Sequence, residues 1–174
     1  MREQMFVKTR KILAILLLVC FLISLTATAV YAFDSTKTYK ITSVNSGKVL
    51  DVKGASKLNG EYVIQWPWNG QDNQKWRFNE LGDGYYSITS VNSGKVLDVK
   101  GASKLKGESV IQWPWNGQDN QKFELSTVGD AYKITVKHTG MVLDVSGASH
   151  NDGASIIQWP WNQGMNQKWY VEAV

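Results

Sequence analysis

The amino-acid sequence predicts an all-β protein of about twelve short strands that close around a pseudo-three-fold axis. Three observations support this. The chain after residue 32 contains three copies of one repeat. Each repeat alternates short strand patterns with turn residues, and no stretch after residue 32 has a sustained helical period.

The repeat is nearly perfect between its first two copies. Residues 41–75 and 88–122 align without a gap and are identical at 33 of 35 positions. The two differences are Asn59/Lys106 and Tyr62/Ser109. A more divergent third copy runs from about Tyr132 to the end of the chain. We place the repeats at about 38–84, 85–130 and 131–174.

Each repeat contains four strand candidates separated by glycine- and asparagine-containing turns. Three repeats form either an open solenoid or a closed body. A solenoid needs dedicated capping repeats, which this sequence lacks, and closure leaves no exposed strand edges. We therefore predict the closed form. In the first repeat the predicted strands are Tyr39–Thr42, Lys48–Val52, Tyr62–Trp66 and Lys75–Phe78.

Residues 1–32 have the pattern of a secretory signal peptide. Basic residues precede an apolar run over 12–25, and Val30-Tyr31-Ala32 is a typical cleavage sequence. We predict cleavage after Ala32, with Ala29 as the second choice, and hence a secreted protein. The alternative is a retained membrane anchor, but this run is shorter than the roughly 20 apolar residues of a spanning helix.

The segment 33–174 is close to electrically neutral, with 15 basic and 14 acidic residues. This balance does not favour nucleic acid or an anionic membrane as a partner. The only cysteine, Cys20, lies in the predicted signal peptide, so the mature protein has no disulfide. A domain of 142 residues can bury a sufficient core without one.

Three motifs recur in register in every repeat. They are Val-Leu-Asp-Val, Gln-Trp-Pro-Trp and Asn-Gln-Lys followed by an aromatic residue. Together they resemble the ricin-B-type lectin family over essentially the whole segment 33–174. The resemblance implies a β-trefoil fold and sugar binding, with up to one site per repeat. The sugars it implies are of the galactose, N-acetylgalactosamine or xylose type.

By position, the resemblance implies one carbohydrate-binding set per repeat: an aspartate, a stacking tryptophan and an Asn-Gln pair. An indole gives a flat apolar surface to the C–H face of a sugar, a carboxylate accepts hydroxyls, and a carboxamide both donates and accepts. The sets are Asp51, Trp66, Asn73 and Gln74; Asp98, Trp113, Asn120 and Gln121; and Asp144, Trp159, Asn166 and Gln167.

The sequence departs from the family pattern in two places. Many relatives carry a glutamine two residues before the stacking aromatic, whereas Gln65, Gln112 and Gln158 come one residue before it. Because neighbouring strand residues point to opposite faces, we expect these glutamines to face away from the sugar. In disulfide-bearing relatives two cysteines occupy positions that here hold a valine and a tryptophan, so we infer a Val–Trp contact in their place: Val49–Trp68, Val96–Trp115 and Val142–Trp161.

Other roles remain open for several of these residues. The aspartates can instead cap the Gly-Ala-Ser loop that follows them, and the Trp-Pro-Trp loop can fold on itself. The glutamines of the Asn-Gln pairs can hold the loop in which the asparagine lies, as well as bind sugar. We predict core positions for Trp76, Phe123 and Trp169, packing roles for Trp68, Trp115 and Trp161, and surface positions for His138 and His150.

The sequence does not favour an enzyme. No histidine pair has metal-ligand spacing, no triad signature is present, and no carboxylate pair recurs across the repeats. We predict no cofactor and no metal. The sequence predicts a multivalent secreted lectin whose first two repeats share one ligand preference. The alternatives are a β-trefoil that binds protein, as a hydrolase inhibitor or toxin component, and a structural matrix protein.

Overall fold

The computed structural model describes residues 33–174, and the predicted signal peptide lies outside the described residues. The described chain contains twelve strands and six three-residue 3-10 turns, which confirms the predicted all-β trefoil. None of its helical segments is long and apolar enough to cross a membrane. The strands are β1 (Tyr39–Ser43), β2 (Val49–Val52), β3 (Val63–Trp66), β4 (Trp76–Gly82), β5 (Tyr85–Ser90), β6 (Val96–Val99), β7 (Val110–Trp113), β8 (Phe123–Val128), β9 (Ala131–Val136), β10 (Val142–Val145), β11 (Ile156–Trp159) and β12 (Trp169–Ala173).

Six of these strands close into a barrel. The first and last strands of each repeat pair in the cycle β1–β4–β5–β8–β9–β12 and back to β1, always antiparallel. The β4–β5 hairpin extends further than the sequence predicted, because strand β4 continues to Gly82 against Tyr85. Closure of the cycle leaves no free edge in the barrel.

The remaining six strands form three hairpins, β2–β3, β6–β7 and β10–β11, one per repeat. Each hairpin has the same register, which places the aspartate of Val-Leu-Asp-Val opposite an isoleucine, as in Asp51↔Ile64. The three hairpins also touch one another through the isolated bridges Tyr62↔Ile111, Ile64↔Ser155 and Ser109↔Ile157. The hairpins therefore form a second three-fold layer, and this layer carries the predicted site residues.

The core fills the barrel and the underside of the hairpins. Trp76, Phe123 and Trp169 are completely buried, which confirms their predicted core role. The indole N–H of Trp76 donates to the carbonyl of Leu50 at 3.2 Å, and that of Trp169 donates to Leu143 in the same way. The polar end of each buried indole is thus satisfied, and this bond ties the barrel to the hairpin layer.

Phe33 occupies a position near the three-fold axis. Its ring stacks on Phe78 with a centroid distance of 4.2 Å. Three equivalent tyrosines, one from each repeat, surround it at 5.4, 5.6 and 5.7 Å: Tyr39, Tyr86 and Tyr132. The first described residue therefore packs into the aromatic cluster of the core.

Candidate functional site

Three pockets lie in the hairpin layer, one for each repeat. Pocket 1 has a volume of about 470 Å³, pocket 2 about 520 Å³ and pocket 3 about 390 Å³. Each brings together the aspartate, the tryptophan and the asparagine that the sequence assigned to one site: Asp51, Trp66 and Asn73; Asp98, Trp113 and Asn120; Asp144, Trp159 and Asn166.

The aspartate forms one wall of each pocket and is only 3 to 4 % exposed. Burial raises the pKa of Asp51, Asp98 and Asp144, and hydrogen bonds from the neighbouring Asn-Gln pair partly offset that rise. Each carboxylate is therefore under-solvated, and it has acceptor capacity beyond its bond to the glutamine. The 3-10 turn after β2 has no side-chain cap, which disfavours the capping role for Asp51.

The glutamines of the Asn-Gln pairs lie behind the pockets, which corrects their assignment as contact residues. Gln74 has no exposed surface. Its amide donates to Asp51 Oδ2 at 2.8 Å and to the carbonyl of Pro67 at 2.9 Å, and its Oε1 accepts from the N–H of Asn69. Gln121 and Gln167 repeat these contacts on Asp98 and Asp144. These three glutamines orient the carboxylates rather than face a ligand.

The tryptophans present indole surface to the pockets. Trp66 is 41 % exposed and Trp113 is 40 % exposed, so the Trp-Pro-Trp loop does not fold over them. Trp159 is partly buried, and the ammonium of Lys106 lies 5.3 Å from its ring centroid. Asn73 is nearly buried and donates to the carbonyl of Val52 at 3.1 Å. Each pocket thus combines an indole with a carboxylate and a carboxamide, and the indole is exposed in pockets 1 and 2.

The structure adds lining residues that the sequence analysis did not assign. Ile64, which pairs with Asp51 across the hairpin, lines pocket 1, as expected for a residue two positions before Trp66 on the same strand face. The loop after β2 contributes Lys53, Gly54 and Ala55. From the sequence, only the tryptophan and the glutamine of this strand were assigned. The period of two along β3 could also have assigned Ile64 to the pocket, because it lies on the same strand face as Trp66.

Pocket 3 differs from pockets 1 and 2 in the lining residues that its own repeat contributes. Ser146 replaces the lysine that lines the first two pockets, Lys53 or Lys100. Gly164 replaces the lining glutamine, Gln71 or Gln118. Pocket 3 therefore offers fewer polar side chains to a ligand than pockets 1 and 2.

A second set of buried glutamines joins the repeats to one another. The amide of Gln112 donates to the carbonyls of Ser56 and Leu58 in the preceding repeat, both at 2.9 Å. Gln158 holds the loop of the second repeat, and Gln65 holds that of the third, so the contacts run around the axis. These are the glutamines expected to face away from the sugar, and their side chains do turn to the neighbouring repeat.

The second tryptophan of each Trp-Pro-Trp motif is not a packing residue in the first two repeats. Trp68 is 39 % exposed and Trp115 is 45 % exposed. Both lie beyond the end of the hairpin strand, and the Lys40 ammonium is 5.9 Å from the Trp68 ring. Trp161 is partly buried beneath Lys133 in the same way. His138 is also partly buried, where Nε2 contacts the carbonyl of Ser103, and it is not a free surface residue.

The described residues contain no group of three histidine, cysteine, aspartate or glutamate side chains that could hold a metal ion.

The fold and the three pockets define a β-trefoil of the lectin class, and comparison with known proteins agrees. The model of the ricin-type beta-trefoil lectin domain-like family matches residues 29–113, 72–159 and 119–174. The chain belongs to this family. Comparison with curated proteins gives no match.

Several solved structures share the fold. A designed three-fold symmetric protein, ThreeFoil, is 45 % identical with a TM-score of 0.78, covering 79 % of this chain and 99 % of its own. An exo-beta-1,3-galactanase from Clostridium thermocellum is 40 % identical with a TM-score of 0.79, covering 82 % of this chain but 31 % of its own. A Macrolepiota procera ricin B-like lectin in complex with lactose is 27 % identical with a TM-score of 0.71, covering 81 % of this chain and 98 % of its own.

Replacing Gln112 by alanine tests whether the inter-repeat glutamines hold the pocket loops. We expect Gln112→Ala to lower the free energy of unfolding by about 2–3 kcal/mol, because the variant loses both hydrogen bonds of a completely buried side chain to the neighbouring loop. We also expect faster hydrogen exchange in residues 53–60 of the first repeat than in the equivalent residues of the second. Urea unfolding and hydrogen–deuterium exchange measure these two effects.

The matched control is Gln118→Ala, which truncates an exposed glutamine in the same repeat. It should change stability by no more than about 0.5 kcal/mol. Equal losses in both variants, or faster exchange confined to the second repeat, would show that Gln112 does not hold the loop of its neighbour.

Proposed function

We propose that this protein is a secreted, non-enzymatic lectin that binds glycans or polysaccharides through one pocket in each repeat. The observation that carries the proposal is the recurrence of an under-solvated carboxylate beside an exposed indole, as in Asp51 with Trp66. A buried carboxylate gains more from accepting sugar hydroxyls than a solvated one does. The adjacent indole accepts the apolar face of the same sugar ring.

Relatives support sugar as the ligand class. Neighbouring structures are described as complexes with lactose, with GalNAc and with a sialylated epitope, and the galactanase acts on a β-1,3-galactan. This chain corresponds to about a third of the galactanase, so the enzyme supports the class of sugar and its activity is not carried over to this protein. Galactose- or xylose-type sugars are the first candidates. Three pockets on one rigid body raise the avidity for a polymer without any new contact.

A glycan array and a polysaccharide pull-down test the proposal with the purified protein. The variant carries Asp51→Asn, Asp98→Asn and Asp144→Asn. Asparagine still accepts from the glutamine behind each pocket, but it loses the charged acceptor, so we expect about tenfold to a hundredfold weaker binding per site. Because burial raises the pKa of all three carboxyls, their neutralisation should leave the melting temperature equal or higher at pH 7.

The matched control carries three charge-equivalent changes outside the pockets: Asp72→Asn, Asp119→Asn and Asp130→Asn. Its glycan binding should equal that of the wild type. Unchanged binding in the pocket variant would remove the aspartates from the site. A folded wild type that binds no glycan would favour the protein-binding alternative.

The pocket carboxylates also predict how binding depends on pH. Binding needs their charged form, and their pKa is raised above the ordinary value of 3.8, so affinity should fall as pH falls through a midpoint above 3.8. A raised pKa also means that these groups favour the folded state more as pH falls. By contrast, Asp34 and Asp119 have a lowered pKa, so their contributions to stability are lost only below 3.8.

We therefore expect an acidic range in which the protein stays folded but no longer binds. Titration calorimetry for binding and circular dichroism for folding, at the same pH values, measure the two transitions. A binding midpoint at or below 3.8, or one that coincides with unfolding, would contradict this account.

Export with cleavage after Ala32 is the remaining part of the proposal. Cleavage there makes Phe33 the first residue, and its ring keeps its place among the aromatic residues of the core. Expression in a secreting host should release a product into the medium whose intact mass corresponds to Phe33–Val174. Recovery of the uncleaved chain in the membrane fraction would favour the retained anchor, and a product beginning at Val30 would favour cleavage after Ala29.

A further inference from the structure

Each pocket is completed by the repeat that precedes it around the axis. Gly60 of the first repeat has φ of +81° and lies against Trp113, where an added Cβ would come within 3.5 Å of the ring. Gly60 lines pocket 2 and Gly153 of the third repeat lines pocket 1. Gly107 of the second repeat lies against Trp159 in pocket 3. Residues of one repeat that follow its 3-10 turn therefore belong to the next pocket.

The two differences between the first and second repeats both fall in this segment. Asn59 and Tyr62 of the first repeat flank Gly60 and thus border pocket 2, whereas Lys106 and Ser109 border pocket 3. Pocket 1 is bordered by Asp152 and Ser155 of the third repeat. The near identity of the first two repeats therefore does not make pockets 1 and 2 identical.

Tyr62 has the clearest position. It bridges Ile111, and partners in an antiparallel bridge point to the same face, which is the face of Ile111 and Trp113 that lines pocket 2. Its hydroxyl accepts a hydrogen bond from Lys100 Nζ at 2.9 Å, and the ammonium lies 5.0 Å from its ring centroid. Lys100 also lines pocket 2. Tyr62 is 38 % exposed, so its ring is accessible at the pocket rim.

The spacing matches an extended ligand. Ile111 precedes Trp113 by two residues, so Tyr62 lies about 7 Å along the strand from Trp113. The equivalent positions at pockets 1 and 3 are Ser155 and Ser109, which offer no ring surface.

We propose that Tyr62 forms a second sugar subsite at pocket 2, so that this pocket selects a disaccharide or longer glycan while pockets 1 and 3 hold single sugar residues. This inference rests on the proposed function. The first ring stacks on Trp113 beside Asp98, and the second stacks on Tyr62, which its contact with Lys100 fixes in place. Specificity at pocket 2 then depends on a residue of the neighbouring repeat.

Isolation of one pocket makes the inference testable. The background variant Asp51→Asn/Asp144→Asn leaves pocket 2 active. We use two probe pairs, galactose with galactobiose and xylose with xylobiose, and measure affinities by titration calorimetry. In this background the disaccharide of the bound pair should bind about threefold to tenfold tighter than its monosaccharide, since one added ring stack contributes about 1 kcal/mol.

Tyr62→Ser should remove this preference and leave monosaccharide affinity unchanged. Tyr62→Phe should keep it, because it loses only the hydroxyl contact, while the ring and the Lys100 ammonium 5.0 Å from its centroid remain. A gain-of-function variant is Ser155→Tyr in the background Asp98→Asn/Asp144→Asn, where only pocket 1 is active. Lys53 occupies the place of Lys100 there, so pocket 1 should acquire the disaccharide preference.

Each remaining outcome overturns the inference in a distinct way. Equal losses for both sugar sizes in Tyr62→Ser would show that Tyr62 only supports the pocket. A preference that survives Tyr62→Ser would show that the second ring binds elsewhere. Wild type that binds no glycan on the array overturns the proposed function and the subsite with it, whereas binding without any size preference overturns the subsite alone.

Discussion

The hydrogen bonds from Gln65, Gln112 and Gln158 to the loop of the preceding repeat are the constraint on which the pockets depend. Each carboxamide is completely buried and donates to two carbonyls across a repeat boundary. A buried amide without these partners would be costly, so each loop is fixed where the glutamine needs it. That loop forms a wall of its own pocket and the rim of the next. The same hydrogen bonds therefore join the repeats to one another and hold the loops that line the pockets.

The glutamines of the Asn-Gln pairs have a different role, because each donates a hydrogen bond to the buried carboxylate of its own pocket. Burial raises the pKa of Asp51, and Gln74 supplies the hydrogen bond that partly offsets it. Gln74 is in turn fixed by Pro67 and Asn69, so the carboxylate has one orientation. The remaining desolvation is a stability cost that the fold carries at each pocket. A ligand whose hydroxyls replace the lost water recovers part of that cost, which is how such a residue favours binding over stability.

The sequence was sufficient for the fold and for most of the pocket residues, because three registered copies determine both strand spacing and symmetry. It identified Asp51, Trp66 and Asn73 together, and the period of two along β3 correctly turned Gln65 away from the pocket. It was wrong to place Gln74 in contact with a ligand, since burial behind a carboxylate leaves no mark in a linear motif. It also expected the first two repeats to share one ligand preference. The bridge Tyr62↔Ile111 and the place of Gly60 in pocket 2 show that residues of one repeat belong to the pocket of the next, and neither contact can be read from the sequence.

This offset between repeat and pocket has a physical consequence for how the three pockets differ. The glutamines behind the pockets and between the repeats are fully buried and hydrogen-bonded, so their substitution disturbs the trefoil. Tyr62 and Lys106 lie instead at exposed ends of the loop, where substitution costs little stability. The Lys106 ammonium lies 5.3 Å from the Trp159 ring centroid, whereas the equivalent residue before Gly60, which contacts Trp113, is Asn59, so one substitution changes what a ligand meets at the indole of the next repeat. A symmetric scaffold can thus carry three chemically distinct pockets, because the positions that distinguish them are not the positions that hold the fold.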